Sequence, residues 1–160
     1  MIILGISGAV FHDASAALFI DGKLVAAAEE ERFIRDKHAK GRFPVGAARF
    51  CLEQAGISPD EVDIVAMPYA KIGLFNPARW HYAMRHWYAP DRALTAIFNG
   101  NRRYRRNVRM ANDMMREIGL DPRHVRLVPV EHHITHASSA YHLSGFKAKT
   151  VVITIDRKGE

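Results

Sequence analysis

The sequence predicts an α/β fold built on a mixed sheet, for three reasons. Apolar, β-branched runs of strand length recur from the first residue onward. The first three crowd together, with a two-residue turn between the second and third. Beyond them, strand-like runs alternate with stretches of helical periodicity. Strands joined by tight turns pair antiparallel, and strands separated by helices pair parallel, so the two patterns together imply a mixed sheet.

Met1–Ser7 is apolar and suits a buried strand, and Ala14–Ile20 is a second such run. The third is Lys23–Glu29, and Asp21-Gly22 before it can take positive φ at both central positions of a hairpin. Gly8, His12, Asp13 and Ser15 interrupt the first two runs with small and polar groups. The stretch from Arg32 to Pro44 reads as a loop. It is dense in Arg35, Lys37, His38, Lys40 and Arg42, a set able to hold a phosphate or carboxylate. Pro44 suits a first helical position, and Val45–Ala55 is a helix stopped by Gly56. Val45, Ala48, Cys51, Leu52 and Ala55 share one face, so Cys51 reads as a core residue rather than a nucleophile. Ser58-Pro59-Asp60-Glu61 carries a capping-box pattern. Val62–Met67 is the next strand, stopped at Pro68.

Between Tyr69 and Gly119 two or three helices are expected as an insertion. There Trp80, Met84, Trp87 and Tyr88 recur at helical spacing as a core stripe. Val125–Val130 is then a strand, Glu131–Leu143 a helix and Thr150–Ile155 a strand. Three strands, a helix, a strand, helices and a strand are the order of one lobe of the ribonuclease-H-like, actin-type ATPase architecture.

A chain of 160 residues can bury one sizeable core, and 48% hydrophobic with 25% charged residues is ordinary for a globular protein. No apolar run reaches the ~18–20 residues of a membrane span. Met1–Ile6 lacks the basic leader of a signal peptide. The single cysteine cannot close an internal disulfide, which suits the cytoplasm. The net charge is +6, with Arg102, Arg103, Arg105, Arg106 and Arg109 clustered. No nucleic-acid-binding motif accompanies them, so a solvated helix face is expected rather than a nucleic-acid partner.

The sharpest chemical signal is Glu131-His132-His133-Ile134-Thr135-His136. On a helix, His132 and His136 stand one turn apart on one face, where two imidazoles can grip one metal ion. His133 points roughly 100° away. Asp156 ends the last strand-like run and is a third candidate ligand, in the strand-end position where α/β sheets gather ligands. There is no Walker motif and no GxGxxG.

Three segments resemble the N-terminal part of the antibiotic and nodulation-factor O-carbamoyltransferase family. They are Gly5-Ile6-Ser7 with His12-Asp13-Ala14-Ser15-Ala16-Ala17; Glu29-Glu30-Glu31-Arg32-Phe33 with Lys37-His38 and Phe43-Pro44; and Glu131-His132-His133 with His136-Ala137-Ser138-Ser139-Ala140 and Thr154-Ile155-Asp156. The resemblance implies an actin-like domain, related to the tRNA threonylcarbamoyl-transfer proteins, followed by a YrdC-like domain. It implies transfer of a carbamoyl group from carbamoyl phosphate and ATP, through carbamoyl-adenylate, to the hydroxyl of a small-molecule acceptor. A divalent metal, iron in related proteins, is then held by His132, His136 and Asp156. His12 and Lys37 match polar positions expected to line the carbamoyl and nucleotide site, with His12 a candidate base.

Two departures stand out. The family continues Asp-Gly-x-Gly-Glu where this chain has Asp156-Arg157-Lys158-Gly159-Glu160, so Arg157 replaces a glycine. Residues 1–160 correspond to a first lobe with a helical insertion at about 69–119, without the second lobe or the YrdC-like domain. The expectation is a chain inactive alone, completed by the missing C-terminal portion or a partner chain. A tRNA-modifying relative and a non-catalytic fragment or subunit are the alternatives.

Overall fold

Asp21 and Gly22 take φ angles of 49° and 78°, and the chain turns back on itself between Ile20 and Lys23. That turn pairs β2 (Ser15–Ile20) with β3 (Lys23–Glu29), and β1 (Ile2–Ser7) lies antiparallel on the other side of β2. The N-terminal amine closes the corner by donating to the Asp21 carboxylate at 2.6 Å. β4 (Ile64–Met67) runs parallel to β1, and β5 (Arg126–Pro129) parallel to β4. The computed structural model describes residues 1–8, 12–71, 73, 75–99, 101–146 and 149–154. Among these the sheet order is β3-β2-β1-β4-β5, the ribonuclease-H-like arrangement.

Cross-strand partners share a face of the sheet, so the register divides it in two. Leu4 stands opposite Leu18 and Val65, and Leu18 opposite Ala26. This face is buried under α2 (Val45–Ala55) and α5 (Arg102–Glu117), which contribute Ala47, Ala48, Cys51 and Leu52, and Ala111, Met114 and Met115. α2 ends at Gly56 in the left-handed conformation, as its sequence predicts. Cys51 is wholly buried, and burial pushes its thiol pKa up, which fits a core residue rather than a nucleophile.

The N-terminus of α2 is fastened by a residue far from it in sequence. Glu30, only 3% exposed, receives the Gly46 N–H at 3.1 Å and the Ala47 N–H at 2.8 Å on its two carboxylate oxygens. A carboxylate is acceptor-only and favours the positive end of a helix, so one buried charge satisfies two otherwise orphaned donors. Gly46 is required there, because a Cβ would lie 2.8 Å from that of Phe33. The Glu30 backbone also donates to Ala14 O at 2.8 Å and accepts from the Phe33 and Ile34 N–H groups.

Three expectations change. The Arg32–Pro44 loop contains structure: α1 (Glu31–Ile34), which begins on the bonds from Glu30, and a 3-10 turn at Lys37–Ala39. The stripe of Trp80, Met84, Trp87 and Tyr88 is not core, since Met84 is 65% and Trp87 79% exposed. α3 (Pro77–Arg85) ends before Trp87, and its inward positions are Arg79 and Ala83, one turn apart. Arg79 Nη1 donates to Ile97 O at 2.8 Å, tying α3 to α4 (Pro90–Asn99). Residues 150–154 form no strand, and Ile155 lies outside the described residues. Val151 and Ile153 are exposed. β-propensity expresses fit to a half-buried pleated surface, and that segment meets none.

The turn before β5 is held by Asp121, whose carboxylate receives Arg123 Nη2 at 2.9 Å, Arg123 Nε at 3.1 Å and the Arg123 N–H at 2.9 Å. These bonds hold its carboxyl down to about 2 from an ordinary 3.8. A carboxyl depressed in the folded state contributes stability above its unfolded pKa and loses it as pH falls through the folded one. Wild type should therefore lose more stability than Asp121→Asn between pH about 4 and about 2; parallel pH–stability curves would contradict this. Glu30→Gln replaces one acceptor by a donor facing a backbone N–H. It should cost about 1–3 kcal/mol in urea unfolding, and an unchanged midpoint would contradict the fastening.

Candidate functional site

Because β1, β4 and β5 are parallel, their C-terminal ends reach one edge of the sheet. The antiparallel hairpin brings Ser15 and Glu29 to the same edge, opposite Ser7. Ligands of open α/β sheets collect at such an edge. Gly8 leaves β1 there with φ 116°, and a Cβ on it would lie 2.6 Å from that of Ala14, so only glycine lets these two backbones meet.

The sheet face turned away from α2 is floored with small side chains. Gly5 stands opposite Ala17 and Ala66, and Ala17 opposite Ala27. Over this floor an open cleft of ≈ 1010 Å³ extends to α6 (His132–Leu143), which presents His132, Thr135, His136 and Ser139 to it. These four fall at i, i+3, i+4 and i+7, one helix face. Ser7, Ser15, Glu29 and Arg32 supply polar groups to the lining.

α6 begins directly after β5, and Glu131 caps it by accepting the Ile134 N–H at 2.9 Å. That bond keeps the Glu131 carboxyl below its ordinary range. The cap fixes the first turn, and with it His132. The Tyr69 ring, two residues beyond β4, lies parallel to the His132 ring within 8° at a centroid distance of 5.8 Å. His132 and His136 turn their Nε2 atoms toward each other at 3.3 Å, with ring planes 79° apart. Two imidazole nitrogens at ~2.0–2.1 Å from one cation stand roughly 3.0–3.4 Å apart, so the pair could hold a metal with little rearrangement. Among the described residues no third histidine, cysteine or carboxylate joins them as a metal-binding group. Asp156, the expected third ligand, lies outside the described residues.

His12 and Lys37 occupy the loops at the same edge, and neither is among the residues lining the cleft. Lys37 is exposed in the 3-10 turn. His12 Nδ1 contacts Asp13 Oδ2, and Asp13 Oδ1 is 2.8 Å from His38 Nδ1. The histidine bonds, that of His38 above all, hold the Asp13 carboxyl below its ordinary value. Sequence reasoning assigned no role to Tyr69 or Glu30, and read Asp13 only as a polar loop residue and His38 only as one of a set able to hold a phosphate or carboxylate. The His12-Asp13 adjacency is visible in the sequence, but the link to His38, 25 residues on, needs the fold.

The strand order and the mixed pairing place the chain in the class of ribonuclease-H-like α/β lobes, here with a cleft over the open sheet face and a histidine pair after β5. The chain belongs to the carbamoyltransferase N-terminus family, whose model matches residues 2–160. It is similar to nodulation protein NolNO of Sinorhizobium fredii, with 30% identity over all of this chain and 24% of the relative. An uncharacterized protein of Synechocystis is 36% identical over 99% of this chain and 26% of its own length. The chain thus spans about a quarter of the length of these curated relatives. Among solved structures, YeaZ from Pseudomonas aeruginosa matches at 15% identity and a TM-score of 0.45, over 91% of this chain and 52% of that one. A Pseudomonas aeruginosa protein described as similar to the peptidase YEAZ matches at 15% identity and a TM-score of 0.48, over 90% and 49%.

Proposed function

We propose that this chain supplies the first lobe of a metal-dependent carbamoyltransferase, acting in biosynthesis on a small molecule that carries a hydroxyl group. The observation that carries the reading is the histidine pair, whose Nε2 atoms meet at 3.3 Å on the cleft side of α6. Membership of the carbamoyltransferase N-terminus family supports the transfer chemistry. In this reading the donor is carbamoyl phosphate, which with ATP and one water gives carbamoyl-adenylate, releasing inorganic phosphate and pyrophosphate. The acceptor oxygen bonds to the carbamoyl carbon, the bond from that carbon to the adenylate oxygen breaks with AMP leaving, and the hydroxyl proton passes to a base.

His132 and His136 would hold a divalent cation, iron by family resemblance, with Asp156 as a further ligand. Such a cation supplies positive charge for a carbonyl or phosphate oxygen. The remaining work falls to the chain itself. The Gly5, Ala17, Ala27 and Ala66 floor leaves room for a flat donor against the sheet backbone. His12 accepts the hydroxyl proton, and the exposed Lys37 ammonium meets phosphate or carbamoyl oxygen. The segment that relatives carry beyond the matched quarter, or a partner chain, completes the site.

A second reading, tRNA modification, has one observation in its favour. Arg102, Arg105, Arg106 and Arg109 are exposed on α5 and form no ion pair among the described residues. Steeply salt-dependent tRNA affinity would favour it, and salt-independent or absent binding would favour the small acceptor.

Titration with Fe(II) or Mn(II) under reducing conditions should give one bound equivalent. His132→Ala or His136→Ala should weaken it by roughly 10–100-fold or more. Equal metal content in wild type and both variants would overturn the assignment. Mixed with the segment that relatives carry, wild type should move label from carbamoyl phosphate to a hydroxyl acceptor, and both variants should not.

A further inference from the structure

The loops flanking the cleft bring two imidazoles onto one carboxylate. Asp13 Oδ2 contacts His12 Nδ1, and Asp13 Oδ1 stands 2.8 Å from His38 Nδ1. The backbones are joined as well, since the Asp13 N–H donates to His38 O at 2.6 Å. The two rings lie edge to face with centroids 6.3 Å apart.

A separate observation sets this cluster apart from an ordinary polar loop. Asp13, His38 and Ala39 hold φ angles of 58°, 69° and 41°, in the left-handed region although each carries a Cβ. Strain of this kind persists only where the surroundings over-determine it, and it concentrates at working sites. The surroundings are present here. Ala14 and Ala39 are each 1% exposed, and the Glu31 carboxylate accepts the His38 N–H at 2.9 Å. The rings themselves are accessible, with the His12 side chain 62% and the His38 side chain 47% exposed.

The chemistry of the contact determines which nitrogen is which. An ionised carboxylate can only accept hydrogen bonds, so each Nδ1 facing Asp13 carries a proton. A neutral histidine with its proton on Nδ1 has its lone pair on Nε2. Free histidine prefers the opposite tautomer, so a fixed carboxylate is needed to hold this one. A carboxylate on a side chain free to rotate would do this poorly. His38 takes the second oxygen, and with it the freedom of the Asp13 side chain.

We propose that Asp13 is a positioning residue that holds His12 in the Nδ1–H tautomer, with Nε2 as its proton acceptor, and that His38 locks Asp13 in place for this task. The proposal deepens, and rests on, the reading of His12 as the base of carbamoyl transfer. The charged and titratable groups that meet the cluster are Asp13, His12, His38 and Glu31, from the β1–β2 loop, the 3-10 turn and α1.

The test is long-range proton–nitrogen NMR on this chain labelled with ¹⁵N-histidine, which distinguishes the two neutral tautomers from the doubly protonated ring. Wild type should have the Nδ1–H form dominant for His12. Asp13→Asn keeps the left-handed backbone accessible and places an amide N–H₂ where an oxygen stood. His12 or His38 should then switch to the Nε2–H form, with amide signals outside these loops unchanged. His38→Asn should leave Asp13 present but free to rotate, and return His12 to a tautomer mixture. A dominant Nε2–H form of His12 in wild type, or a His12 tautomer indifferent to both variants, overturns the proposal. The readout needs no transferase activity. If the tautomer obeys Asp13 while His12→Asn keeps full carbamoyl transfer, the positioning stands and the reading of His12 as base fails.

Discussion

The buried carboxylate of Glu30 is the constraint from which the rest of the site follows. Two oxygens hold the Gly46 and Ala47 amides, so the start of α2 cannot move away from the end of β3. The backbone of the same residue is bonded to Ala14 at the start of the β2 segment, and it starts α1. Three pieces of chain thus meet on one residue. Burying a charge is costly unless its hydrogen bonds are made, and here the helix terminus supplies them. The loop carrying His38 therefore begins from a rigid point. Its left-handed backbone at His38 and Ala39 is tolerable because both its ends are fixed.

The second contribution comes from topology. Parallel β1, β4 and β5 deliver Gly8, Tyr69 and His132 to one edge, while the hairpin returns Asp13, Ser15 and Glu29 to it. One sheet face is occupied by the core under α2 and α5. The other, with glycine and alanine in register, is left open beneath α6. Small residues that add little to a core are here the floor of a cleft. The polar groups able to do chemistry stand around its rim, on loops that the scaffold positions.

Much of this was legible because its signals are local. Asp21-Gly22 needs only its own backbone to turn, α2 carries its stop at Gly56, and His132 and His136 face together through helix geometry alone. The unread parts are those in which a residue acts on a distant one. Nothing around Glu30 announces that its partners are Gly46 and Ala47, and nothing around Asp13 points to His38. The Trp80, Met84, Trp87 and Tyr88 pattern misled because periodicity assumes an unbroken helix, and α3 stops at Arg85. Thr150–Thr154 misled in the opposite way, since its composition suits a strand while its apolar side chains meet no ladder.

Native-state amide hydrogen exchange tests most directly whether one fastening holds both the helix and the loops of the site. The amides of Gly46, Ala47 and Asp13 should open together in wild type, with one common free energy, and Glu30→Gln should lower all three by the same amount. If Asp13 opens independently, or keeps its protection in Glu30→Gln while Gly46 and Ala47 lose theirs, the loops are held by something other than Glu30 and the account of the site is wrong.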